Sequence, residues 1–274
     1  MQQQKCSTEG DVDAARARLA NARYNACLVW GEPEAASEQL RILVAVNERE
    51  LQRERALHEC RAASEASLER SQGRLAYARS LLAEKEGDIE IAVEQLRIVV
   101  AMRMNELDRF QDLHRRRQIA VAEVDAAQCR VAYARHRLAR AEGNSAKAIA
   151  ELQTLIALHE MGLTRLTEVQ RHAAVSEIDM TVGRWYAAEA RLRLAMFKEQ
   201  HAAAKQELQQ LVAIDRALLE LVQKRSTLLG GGPASWEEGA VVELQWQLDF
   251  DRHRLAKGAV GEYIHEHPPD VLWF

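Results

Sequence analysis

Apolar and small residues recur along this chain at alternating steps of three and four. One run reads Leu68, Ser71, Leu75, Ala78 and Leu82, and the next reads Val93, Leu96, Val100, Leu107 and Phe110. Such steps keep side chains on one face of a helix, and their alternation is a heptad-like seam. The pattern recurs every 56 residues: Arg23, Arg79, Arg135 and Arg191; Leu40, Leu96, Leu152 and Leu208; Val44, Val100, Ile156 and Val212. A fixed period over four copies marks one supersecondary unit repeated. Within each unit the first helix keeps alanine where the second keeps a branched aliphatic, so the two backbones can approach closely. The expected fold is all-α: four tandem antiparallel α-hairpins, about eight long helices, in an elongated bundle or α-solenoid, plus a C-terminal helix. Each helix should span roughly 20 to 27 residues, or about 30 to 40 Å at 1.5 Å per residue.

Two kinds of turn divide the helices. Gly31, Gly87 and Gly143 suit a left-handed helix end; Asp88 and Asn144 suit the cap of the next helix, and Pro33 suits a first helical position. The fourth copy carries Glu199 in place of glycine, and the matching seams on either side still predict a turn there. The second kind of turn falls near Ala62-Ala63-Ser64, near Ile119-Ala120 and near Ala174-Val175-Ser176, where Ser176 and Asp179 form a capping box. These signals set the units at about 11–62, 63–118, 119–174 and 175–228, after a disordered stretch over 1–10. Residues 229–234, with Gly230-Gly231-Gly232-Pro233, read as a linker. Residues 235–274 read as a ninth helix opened by Ser235 and Glu238, with Val241, Leu244, Leu248 and Leu255 on one face, and a tail. Three of the five tryptophans lie in this last part. Trp236, Trp246, Leu272, Trp273 and Phe274 are therefore candidates for a cap on the open end of the array or for a docking surface.

Composition removes several function classes. The net charge is only -4 and both signs are interspersed, without the basic stripe of a nucleic-acid binder; Arg115-Arg116-Arg117 is best taken as a solvated helix end. No apolar run approaches the ~18 residues of a membrane span. The start, MQQQKCSTEG, has no apolar signal region, which points to the cytoplasm; a trimmed signal before a lipidated Cys6 would instead place the chain in an envelope or periplasm. Cysteine spacing supports neither disulfides nor zinc. His58 and His114 share a repeat position, and His265-Glu266-His267 is a short tract, but neither has the further ligands a metal needs. No nucleophile elbow, phosphate loop or dinucleotide motif is present, so neither catalytic residues nor a cofactor is expected.

One repeat position is anomalous. Asn47, Arg103, His159 and Asp215 place four different polar residues on the seam of the second helix, where Phe110, Leu166 and Val222 follow seven residues later. The facing stretch of the first helix contains Gln128 and Arg184. We expect either a polar layer that fixes register, with Arg184 opposite Asp215 and Gln128 opposite His159, or a solvated seam edge. The ladder of Arg23, Arg79, Arg135 and Arg191 is expected to pair with glutamates of neighbouring units.

The segments LHECRAASEASLERSQGRLAYA and VQRHAAVSEIDMTVGRWYAAEARLRLA resemble the tips of the long helical hairpins in membrane-fusion (adaptor) and outer-membrane efflux proteins. There a leucine, a short polar link, Ala-Val-Ser and an acidic residue mark the reversal. Ala174, Val175, Ser176, Glu177 and Asp179 carry that pattern, and Ala62, Ala63 and Ser64 carry part of it. A fainter likeness to tetratricopeptide units lies around Gly87-Asp88 and Ala92. Both cover the helical part only, without the β-rich segments of a complete adaptor. The resemblance implies an envelope-associated hairpin element. The residues themselves favour a non-enzymatic scaffold that binds a protein partner or further copies of itself; a small-ligand binder, with Trp30, Trp185 and Tyr186 lining a pocket between helices, is the remaining alternative.

Overall fold

A computed structural model describes residues 2–170 and 176–228, and beyond them 244–245, 248–249, 251–252 and 255–256. The described residues are all-α and contain eight long helices: α1 (Gln2–Trp30), α2 (Pro33–Glu59), α3 (Glu65–Glu86), α4 (Ile89–Arg115), α5 (Val121–Ala141), α6 (Ser145–Gln170), α7 (Glu177–Phe197) and α8 (His201–Leu228). No strand occurs among them. The stretch over 1–10, expected to be disordered, is helical from Gln2. It contains no proline, so nothing in it forces the helix that carries Asp13 and Tyr24 to stop. Ala174-Val175, the linker at 229–234 and the tail lie outside the described residues.

The period in the sequence is a period in backbone conformation. Gly31, Gly87, Gly143 and Glu199 all have positive φ, between 56° and 81°. At each, the following residue donates its N–H five positions back, as in Asp88 to the Ala83 carbonyl (2.8 Å) and Gln200 to the Ala195 carbonyl (2.8 Å). This is the Schellman closure of a helix C-terminus. The fourth copy therefore keeps the turn although glutamate replaces the glycine. Asp88 and Asn144 then accept the N–H groups of Ile91 (3.2 Å) and Lys147 (3.0 Å), so orphan donors at the start of α4 and α6 are satisfied.

The second kind of turn uses the same closure with arginine in the left-handed position. Arg61 (φ 57°) and Arg117 (φ 59°) are one period apart, and Ala62 and Gln118 donate to the Leu57 and Leu113 carbonyls at 2.7 and 2.9 Å. The repeated histidines lock these turns: Nδ1 of His58 lies 3.2 Å from the Ala63 carbonyl, and Nδ1 of His114 3.1 Å from that of Ile119. A carbonyl only accepts, so each Nδ1 is the protonated nitrogen. Ser64 and Ser176 cap α3 and α7 by accepting from Ser67 N and Asp179 N, both at 3.1 Å.

The chain divides into two compact units, 1–148 and 149–274. In the first, α1 to α5 pack in chain order, each against the next. Tyr24, Cys27, Ala36, Leu40 and Leu81 form a core among α1, α2 and α3. In the second, α7 and α8 pack together around Trp185, Leu192, Leu208, Leu211 and Leu218, and Leu244 and Leu248 complete that core. The seam leucines Leu40, Leu96, Leu152 and Leu208 are each 0% exposed. Burying a leucine contributes about 2 kcal/mol, so this one position is a major stabilising element in every hairpin.

Three arginines of the ladder reach back to the preceding hairpin of the repeat. Arg79 reaches Glu48 (2.8 Å) and Arg191 reaches Glu160 (3.4 Å), each 31 residues back, and Arg191 also meets Glu207 at 3.2 Å. The corresponding partner of Arg135 is the Met104 sulfur, at 3.6 Å. Cross-helix pairs repeat as well: Arg41 with Glu86 (2.8 Å) and Arg97 with Glu142 (3.1 Å).

Candidate functional site

The four polar seam residues meet four different fates. Asn47 is buried and donates through Nδ2 to the Arg74 carbonyl at 3.4 Å. Arg103 lies nearer the surface and pairs with Glu106 at 2.9 Å, while Arg130 reaches the other oxygen of Glu106 at 3.1 Å. Burial works against the Glu106 charge, but the two guanidinium groups outweigh it and hold this carboxyl below its ordinary range. His159 is half-buried, with its ring stacked on Tyr186 at 5.4 Å between centroids and 12° between planes. Burial pulls its pKa down to about 4, which leaves it neutral at pH 7.

Asp215 is the most demanding of the four because it is 0% exposed. Trp185 Nε1 donates to its Oδ1 at 2.9 Å. Asp251, also 0% exposed, acts on it as a second carboxyl group. Burial is the main reason that the Asp215 carboxyl is pushed up to about 9. The adjacent Asp251 pushes it further, the Trp185 hydrogen bond works against the shift, and the charge of Glu189 adds to it. Glu189 and Arg193, one helical turn apart on α7 and both buried, pair with each other at 2.8 Å.

Arg184, expected opposite Asp215, is exposed and points elsewhere. One residue along a helix is a 100° rotation, and that rotation brings Trp185 to Asp215 instead. Arg184 lines an open groove of about 420 Å³ between α7 and α8, with Glu177, Thr181, Ile214, Leu221 and Lys224. Gln128 is half-buried on α5. Of the three aromatic residues expected around a ligand pocket, Trp30 is exposed on α1 and Trp185 is fully buried in packing. Tyr186 meets Trp185 edge-on at 5.4 Å. Trp236, Trp246, Leu272, Trp273 and Phe274 lie outside the described residues.

Glu189, Arg193 and Asp251 complete the cluster without having been singled out in the sequence. Asp251 did carry a signal: it fills the gap in the apolar face between Leu248 and Leu255, three residues after one and four before the other. The cluster is acidic, yet no three histidine, cysteine or carboxylate side chains among the described residues converge as a metal set. Chemically, the arrangement can hold a proton away from water and can fix the relative placement of three segments.

Arg115 is engaged by Asp112, and Arg117 supplies the left-handed residue of its turn, so this basic run is built into the end of α4. Cys27 and Cys129 are buried thiols outside any disulfide and Cys60 is exposed; burial pushes Cys129 up to about 12, far from the reactive thiolate. No helix among the described residues is long and apolar enough to cross a membrane. Compared with known proteins, the chain matches no family model and no curated protein.

Proposed function

We propose that the protein is a non-enzymatic scaffold that presents the outer faces of its hairpins to a protein partner, either another chain or a further copy of itself. The observation that carries this reading is a repeated exposed isoleucine. Ile42 on α2 and Ile98 on α4 are equivalent by the 56-residue period and are 37% and 41% exposed. Ile91, one heptad before Ile98, is exposed on the same face. Arg41, Arg79 and Arg97 are meanwhile engaged between neighbouring helices, whereas these isoleucines recur outward. Exposed apolar groups that recur at register are what a helix-in-groove or face-to-face contact uses.

The test is a double variant, Ile42→Glu with Ile98→Glu. It should keep the thermal midpoint of the parent, because both sites are exposed. It should lose the oligomer seen by light scattering, or, where the parent is monomeric, the partner recovered by crosslinking. Retention of both assemblies by the variant refutes this face as the contact.

A second reading is an envelope-associated hairpin element like the coiled-coil part of an efflux adaptor. It draws support from the first tip, where Leu57 is 43% exposed beside Ala62, Ala63 and Ser64, the leucine and small residues of the resembled motif. Fractionation of cells that express the native gene, followed by blotting, separates the two readings.

A further inference from the structure

We propose that the face of α1 turned away from α2 is a docking site for a glutamate-bearing amphipathic helix of a different protein. The later copies of the repeat show how such a face is used. Leu75 and Ala78 on α3, Val131 and Ala134 on α5, and Ala187 and Ala190 on α7 are all buried. Their counterparts on α1 by the 56-residue period are Leu19 and Ala22, and both are exposed, Leu19 by 50%. Val12, one heptad before Leu19, is 49% exposed, whereas its counterparts Val124 and Met180 are buried. Val12, Ala15, Leu19 and Ala22 follow at steps of three, four and three, so they form one stripe. The other side of α1 is occupied, since Tyr24 and Cys27 share a core with Leu40 of α2. The first helix thus leaves open the side that is closed in α3, α5 and α7.

Charge identifies the occupant. On α3, Arg74 and Arg79 flank the buried stripe and reach Glu50 and Glu48 of α2 at 2.5 and 2.8 Å. On α5, Arg130 reaches Glu106 of α4 at 3.1 Å, and on α7 Arg191 reaches Glu160 of α6 at 3.4 Å. The counterparts on α1 are Arg18 and Arg23. Arg18 donates to the Ala14 carbonyl of its own helix, and neither arginine meets a carboxylate among the described residues. A helix that covers α1 as α2 covers α3 therefore carries an apolar stripe with a glutamate on each flank. A second copy of this chain is poorly suited to supply it. Glu48, Glu50, Glu106 and Glu160 are already engaged, and α8 has Arg216 and Leu218 where α2 has Glu48 and Glu50. Two α1 helices face to face would set arginine against arginine, which disfavours a symmetric pair. The stripe carries neither Ile42 nor Ile98, so this contact and the one at the isoleucines succeed or fail separately.

The probe is a fluorescent peptide with the sequence of α2, Pro33–Glu59, which carries Glu48 and Glu50. Its binding to the full chain is read by anisotropy. The parent should bind it, and less tightly as salt rises. Leu19→Glu should weaken binding at least about tenfold, because a carboxylate enters the apolar contact. Arg18→Glu with Arg23→Glu should weaken it about tenfold, and a peptide carrying Glu48→Lys and Glu50→Lys should restore it to within about threefold. That rescue shows that the double variant is folded. It also separates a contact at α1 from displacement of α2 inside the chain, which would respond to Arg74 and Arg79 instead. The Ile42→Glu, Ile98→Glu chain should bind the probe as the parent does. Absence of binding by the parent overturns the proposal, as does binding unchanged by Leu19→Glu or failure of the rescue. Loss of binding in the isoleucine variant overturns it too, because the probe then sits on the other face. So does a dimer in light scattering that Leu19→Glu makes monomeric, because a second copy then covers the stripe.

Discussion

Residues on the second helices of the repeat divide sharply by what they contact. Leu152 and Ile98 are both large aliphatics on second helices, yet one is fully buried and the other exposed. Leu152→Ala should therefore lower the unfolding free energy by about 2–5 kcal/mol, through lost transfer energy and a cavity. Ile98→Ala should fall within about 0.5 kcal/mol of the parent. Urea titration followed by circular dichroism checks both. Trp185 shows how far the sequence reaches at this scale. That Asp215 was unusual could be read from its place on an apolar seam. Its partner could not, because heptad counting fixes a helix rotation only to about one residue, and one residue separates Arg184 from Trp185. Asp251 belongs to a segment remote in sequence and outside the period, so no repeat alignment brings it to Asp215.

At the scale of elements, the helix ends carry the most information. The glycine turns were legible because three copies share a residue suited to positive φ. The other turns were faint because arginine occupies the same conformation at 61 and 117, held there by backbone closure and by His58 and His114. Glu199 is the natural test of what glycine contributes. A non-glycine residue in the left-handed region costs about 1–2 kcal/mol, and part of that gain is offset by the freedom glycine has when unfolded. Glu199→Gly should accordingly stabilise the α7–α8 hairpin by about 0.5–1 kcal/mol, seen as a rise in thermal midpoint.

The α1–α2 hairpin offers a test by pH. Hydrogen bonds from Arg49 and Arg53 hold the Asp13 carboxyl at about 2, against the effect of burial. A depressed carboxyl stabilises the fold above its unfolded value near 3.8 and loses that contribution as pH falls through about 2. Asp13→Asn should cost up to about 1 kcal/mol at neutral pH, and the gap to the parent should close below about pH 2. A gap that persisted in acid would mean that the arginines act through packing instead of charge.

For the whole molecule, the question is what the residues after α8 do for the 149–274 unit. Leu244 and Leu248 are 2% and 3% exposed in a core shared with Leu208, Leu211 and Leu218. Each contributes about 2 kcal/mol of apolar burial, and their removal would expose their partners on α7 and α8. Deleting residues 230–274 should therefore lower the denaturation midpoint of this unit. The 1–148 unit has its own core, so its cooperative transition should stay in place. Calorimetry that resolves the transitions, with Leu40→Ala used to mark the first unit and Leu208→Ala the second, distinguishes the two effects. The uncovered face should also raise the mass measured by light scattering, because apolar surface of this kind seeks another cover. If the deletion leaves midpoint and mass unchanged, Leu244 and Leu248 do not stabilise the hairpin they touch, and no cap can be assigned to this segment.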